Sequence, residues 1–142
     1  MYSSARKAVD TYAEVGVETG VASADPHRLI LMLFDGALAA IAAARLAMSR
    51  SEVAAKAAAV TKAIAIVDGG LKASLDVAAG GELAQRLSEL YDYMLRQLLV
   101  ANLRNEVTTL DEVSRLLNEL RGAWAQIGGA KQEAARAQGA AK

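Results

Sequence analysis

The sequence predicts an all-α fold, an antiparallel up-down four-helix bundle, on three observations. Thirty-two alanines stand against six aromatic residues and a single proline, Pro26. Alanine loses no side-chain entropy in a helix and lets backbones approach closely, so this mixture favours helices packed on helices. Apolar residues recur at three- and four-residue intervals in four successive stretches and never alternate with period two over a convincing length. The connections near positions 50, 80 and 106 are short, which leaves neighbouring helices antiparallel. At 142 residues and 54% hydrophobic, the chain suits one domain with one core.

Residues 1–24 carry a weak helical pattern broken by Gly16 and Gly20 and are read as an irregular N-terminal segment, ahead of a bundle over residues 25–128. Asp25 then supplies a side-chain acceptor at the N-cap and Pro26 the first helical position. The first helix runs to about Ser49. Leu29, Leu33, Ala37, Ala40 and Ala44 share one face, but Leu31, Met32, Phe34, Leu38 and Ile41 spread over most of the circumference. A helix apolar nearly all round is covered on more than one side.

Ser51 and Glu52 open the second helix, which is expected to reach about Val77 with a stripe of Val53, Val60, Ile64, Val67, Leu71 and Leu75. Ile66 falls off that stripe, and Gly69-Gly70 inside it marks a kink, a close helix crossing or a groove. Gly80-Gly81 is expected to end this helix. The third, from about Glu82 to Arg104, carries the seam Leu83, Leu87, Leu90, Met94 and Leu98, widened by Tyr91, Leu95, Leu99 and Asn102. The fourth starts at a Thr108 or Thr109 cap, carries Leu110, Val113, Leu116, Leu117, Leu120, Trp124 and Ile127, and is expected to stop at Gly128-Gly129. Residues 129–142 lack an apolar seam and are read as a flexible tail.

Sixteen basic and sixteen acidic residues balance to zero. No basic stripe of the kind that neutralises phosphates is present, which argues against a nucleic-acid partner. The absence of cysteine rules out disulfides and suits a reducing compartment. The first 25 residues hold no signal-like apolar run and no stretch of 18 consecutive apolar residues occurs, so the chain is read as cytosolic, with no membrane insertion.

Little here points to chemistry. His27 is the only histidine and has no second histidine or cysteine to complete a metal or haem site. Asp35 interrupts the apolar run Leu29 to Leu38 and is expected to be partly buried and to bond a neighbouring helix or loop, with direct partner contact as the alternative. The glycine pairs lack the strand and basic follower of a phosphate loop. No catalytic residue, metal or cofactor is expected. What remains is surplus apolar surface on the first and third helices, where Tyr91, Tyr93 and Met94 combine apolar bodies, polar tips and an adaptable thioether. Such surface suits a groove receiving an amphipathic segment. The alternatives are cover by the N-terminal stretch folding back, or a homodimer of the free protein.

An ordered set of segments resembles the flagellin-specific export chaperone family, FliS. It comprises Tyr12-Ala13-Glu14-Val15, Ser23-Ala24-Asp25-Pro26-His27-Arg28-Leu29-Ile30 and Met32-Leu33-Phe34-Asp35-Gly36-Ala37. It continues through Lys62-Ala63-Ile64, Gly70-Leu71-Lys72, Gly80-Gly81-Glu82-Leu83, Leu90-Tyr91-Asp92-Tyr93-Met94, Leu99 to Asn102, and Trp124. The resemblance implies a cytoplasmic bundle that binds the disordered C-terminal segment of flagellin. It would prevent premature polymerisation and deliver the subunit to the flagellar type III secretion apparatus. The family is also linked to docking on the export gate and, in some bacteria, to a flagellar regulator. By the same resemblance Val9 and Tyr12 match an N-terminal apolar pair that caps the groove and takes part in gate docking. Ile66, Tyr91, Leu95, Leu98, Leu99 and Asn102 are partner-binding candidates, with Leu38 and Ile41 on the first helix.

Overall fold

Asp25 opens the first helix as its place before Pro26 predicts: its carboxylate accepts the Arg28 backbone N–H at 2.8 Å. The computed structural model describes residues 25–140, with side chains through Gly128. Within them lie α1 (Pro26–Ser49), α2 (Val53–Ile66) running on as a π-helical segment (Val67–Lys72), α3 (Val77–Arg104) and α4 (Val107–Ala140). No strand occurs among the described residues.

Polar cross-links fix the antiparallel order. His27, Asp35 and Arg45 of α1 meet Trp124, Arg121 and Asp111 of α4, stepping along the two helices in opposite directions. Tyr93 of α3 donates to Glu112 of α4 at 2.7 Å. Lys56 and Lys72 of α2 reach Asn102 and Asp92 of α3, again in opposite order. The expected bundle is therefore present. Asp35 does bond a neighbouring helix, through Arg121, but from an exposed position.

The connections near 50 and 106 fall where expected, and the one expected near 80 lies earlier, at 73–76. After Gly70 the Ser74 hydroxyl donates back to the Gly70 carbonyl, an alternative to continuing the helix ladder. Asp76 then accepts the Ala79 N–H at 3.0 Å and caps α3. Gly81 (φ 61°, ψ −138°) is not helical and divides a short first turn of α3 from the long run that begins at Glu82, where the third helix was expected to start; its conformation favours a residue without Cβ. At the other end, Asn105 in the left-handed region closes α3 (φ 55°). α4 begins at Val107, ahead of the predicted threonine cap, and Thr109 instead bonds the Glu106 carboxylate at 2.8 Å. It also passes through Gly128-Gly129 to Ala140. Interior glycines cost about 1 kcal/mol each against alanine but do not forbid a helix, and the alanine-rich sequence that follows favours one.

The core keeps Val60, Val67 and Leu71 of the stripe predicted for α2, leaves Ile64 and Leu75 at its margin, and adds positions that the stripe left out. The buried positions of this stretch are Lys56, Val60, Ala63, Ile66, Val67, Gly70, Leu71 and Ser74, a seam carried largely by small residues. Val53, expected in the stripe, is 70% exposed. Ile66, expected outside it, is 1% exposed. The cause is close packing on α1: a Cβ at Gly70 would lie 3.0 Å from Leu33 Cδ2, so the helices approach where side chains are smallest. Gly69-Gly70 thus marks a close crossing. α1 buries nine residues, among them Leu33, Phe34, Ile41 and Met48. It is also the one described helix long and apolar enough to cross a membrane, a test that core helices pass as well.

Candidate functional site

The surface with most to offer a partner lies along α3 where it faces α2. Lys56 Nζ donates to the Asn102 carbonyl at 3.0 Å and to Asn105 Oδ1 at 3.2 Å. Further along, Lys72 Nζ pairs with Asp92 Oδ1 at 2.6 Å. The bond lifts the Lys72 pKa above the ordinary lysine value, by the hydrogen bond first and then by charge. With 100° per residue, Asp92, Leu95, Leu99 and Asn102 fall within roughly 80° of one another on the helix wheel. The Lys72–Asp92 pair sets the Asp92 end of this flank beside α2, and Lys56 ties α2 to the carbonyl end of the same helix. Between them Leu95 is half-buried and Leu99 is 53% exposed, and Leu103, one turn on, is 83% exposed. Helix geometry and two polar ties thus place an apolar strip along an interhelical seam.

The opposite flank of α3 is occupied. Tyr93, Gln97 and Glu112 bond one another across to α4, and the bond to Glu112 raises the Tyr93 pKa.

The other predicted positions divide by burial. Leu38, Leu95 and Asn102 are half-buried and Leu99 is exposed. Ile41, Ile66, Tyr91 and Leu98 sit inside the closed bundle, so the expectation that they line an open groove is corrected. The wide apolar sector of α3 is wide because the core and the strip are adjacent, and Tyr91 and Leu98 belong to the core half. Burial raises the Tyr91 pKa well above the usual phenol value. Val9 and Tyr12 lie outside the described residues. Leu83, read as part of the seam, is 69% exposed beyond the covered part of the bundle.

Sequence reasoning missed Lys56, which is buried and tied to the end of α3. The available signal was its register with Val60, Ala63 and Val67. It also missed the clasp of His27 on Trp124, whose rings stack at 5.1 Å and 11°. Among the described residues no group of three or more acidic or histidine side chains converges as metal ligands would.

Residues 8–132 match the family model described as flagellar protein FliS. The chain is 55% identical over 119 residues to the flagellar secretion chaperone FliS of Salmonella typhimurium, covering 84% of this chain and 88% of that one. It is 46% identical over 120 residues to the flagellar secretion chaperone FliSB of Pseudomonas aeruginosa (84% and 94%). With the Bacillus subtilis flagellar secretion chaperone FliS it shares 31% over 109 residues (77% and 80%). These matches over most of the chain show that it belongs to the FliS family, whose members are flagellar secretion chaperones and not enzymes.

Proposed function

We propose that this protein is a cytoplasmic export chaperone that holds the disordered C-terminal segment of flagellin, keeps it from polymerising early and delivers it to the flagellar type III secretion apparatus. The observation that carries the reading is the exposed pair Leu99 and Leu103, continued by half-buried Leu95, beside a seam whose two helices are already tied together. Ordering a floppy chain costs about 2–5 kcal/mol of the gross interaction. Apolar burial, at about 25 cal/mol per Å², can offset it without any cofactor.

In this reading Leu95, Leu99 and Leu38 contact the guest and Asn102 holds one of its backbone groups. Ile41, Ile66, Tyr91 and Leu98 act from beneath by setting the shape of that surface. Val9 and Tyr12 are assigned the export-gate contact and the capping of the groove. A flagellar regulator is a further partner on the same reasoning, and a homodimer of the free protein is the competing use of the apolar strip.

The test is to mix the purified chain with full-length flagellin and with flagellin lacking its C-terminal segment. A one-to-one complex with the first alone supports the proposal. Equal binding to both, or to neither, removes it. A concentration-dependent dimer indifferent to flagellin favours self-association.

A further inference from the structure

At the end of the bundle where α1 turns into α2 and α3 into α4, a cavity of about 220 Å³ is lined by Ala47, Met48, Ser51, Glu52, Val53, Lys56 and Asn105. Its one cationic group is the Lys56 ammonium, beside polar Ser51, Glu52 and Asn105. An ammonium has three donors, and here two are used, on the Asn102 carbonyl and Asn105 Oδ1. Both are neutral oxygens. Arg45, Lys72, Arg86 and Arg121 each pair with a carboxylate from far more exposed positions. Lys56, 8% exposed, has no carboxylate partner among the described residues.

A buried cation without a counter-charge is unfavourable, and the carbonyl end of α3 offsets only part of that through its dipole. The apolar surroundings are equally specific. Val53 lines the cavity, Leu46 adjoins the lining Ala47, and Leu103 and Val107 flank the lining Asn105. All four are exposed, one on each helix. Val53 thus lines the cavity itself, and each of the other three helices has an exposed apolar side chain at the same end of the bundle.

We propose that this end of the bundle reads an acidic side chain: the third Lys56 N–H takes an aspartate or glutamate of the bound flagellin segment, and the exposed Leu and Val residues take the apolar residues on either side of it. This rests on the proposed function above and adds a specificity contact to it. Glu52, the one acidic residue lining the cavity, is exposed and works against the guest.

The test titrates the full chain, by calorimetry, with a synthetic peptide of the flagellin C-terminal segment and with versions in which each Asp or Glu is changed in turn to its amide. One such change should weaken binding to the wild-type chain roughly tenfold or more, as loss of a hydrogen bond to a charged group does. The same change should cost nothing further in Lys56→Met, with helicity by circular dichroism checking that this variant folds. Glu52→Gln, an exposed substitution that leaves the fold alone, should tighten the acidic peptide and not its amide version. A peptide that binds with no position coupled to Lys56 and no response to Glu52→Gln overturns the proposal. A peptide that does not bind at all overturns the chaperone reading, and this inference falls with it.

Discussion

His27 and Trp124 exchange hydrogen bonds across the bundle: the indole Nε1–H donates to the His27 carbonyl at 2.9 Å, and imidazole Nε2–H donates to the Trp124 carbonyl at 2.6 Å. The second bond selects the imidazole form with its proton on Nε2. Because the rings also stack, α1 and α4 are joined at α1's first turn by three contacts between two residues. Gly128 lies against this clasp so closely that an added Cβ would overlap the imidazole.

That crowding predicts opposite signs for two glycines of one helix. Gly122 has open space around its missing Cβ, so Gly122→Ala should stabilise by up to about 1 kcal/mol. Gly128→Ala should instead destabilise by about 1 kcal/mol or more, because His27 must swing away and lose its bond and stack. Urea unfolding followed through Trp124 fluorescence measures both. Equal effects would mean that the clasp is not as tight as described.

The strip on α3 predicts a separation of folding from docking. Leu99→Asp and Leu103→Asp replace exposed side chains and should leave the melting temperature within a few degrees while weakening the flagellin complex at least tenfold, on the order of a lost interface anchor. Leu98→Ala, at a fully buried site, should cost about 2–5 kcal/mol of stability. An aspartate at Tyr91 or Leu98 tests the fold, because both side chains lie in the core. Thermal melts beside pull-down on flagellin distinguish the two classes.

Asp76 predicts an acid limit to the start of α3. Accepting the Ala79 N–H holds its carboxyl below the ordinary value of 3.8. A group whose folded value is depressed contributes stability above its unfolded value, and loses it as pH falls through the folded one. The contribution is therefore intact at neutral pH and disappears below about pH 4. Asp76→Asn keeps an N-cap acceptor and should flatten that part of the urea midpoint's dependence on pH between about 2 and 5. An unchanged profile would assign the acid sensitivity to other carboxylates.

Gly81 predicts a backbone penalty without a packing one. Nothing lies within 4 Å of the Cβ it lacks, yet its φ is +61°. Gly81→Ala should cost about 1–2 kcal/mol from the left-handed backbone alone. A gain in stability would instead show that the bend in α3 straightens when a Cβ is present.

The four helices were legible because their signals are local: Asp25-Pro26 marks a start wherever it stands, and leucines at three- and four-residue spacing mark a face. The seam of α2 was legible only in part: Val60, Val67 and Leu71 are buried as read, but choosing large residues added exposed Val53 and left out Ala63, Gly70 and Ser74, which the bundle buries. Close approach selects small side chains, and a periodicity weighted by size misses it. Leu83 failed differently. Its wheel position points to the core, but the bundle does not cover it there. Tyr91 and Leu99 looked alike as apolar positions on α3, and only the neighbours brought by α2 and α4 decide which one is enclosed. Lys56 was passed over because a lysine in register with Val60 and Ala63 is not counted in an apolar stripe, and no sequence pattern announces two distant asparagines at its tip.

The two lysine struts of α2 have a consequence for the energetics of capture. They tie α2 to α3 at two points along the seam, so on the proposed function the surface that receives the guest is assembled before it arrives. A polypeptide settling there meets a rigid bed, and the conformational entropy lost on association is chiefly its own. Such a holder can grip a long segment broadly and still let go, because nothing in the scaffold has to be refolded when the cargo leaves.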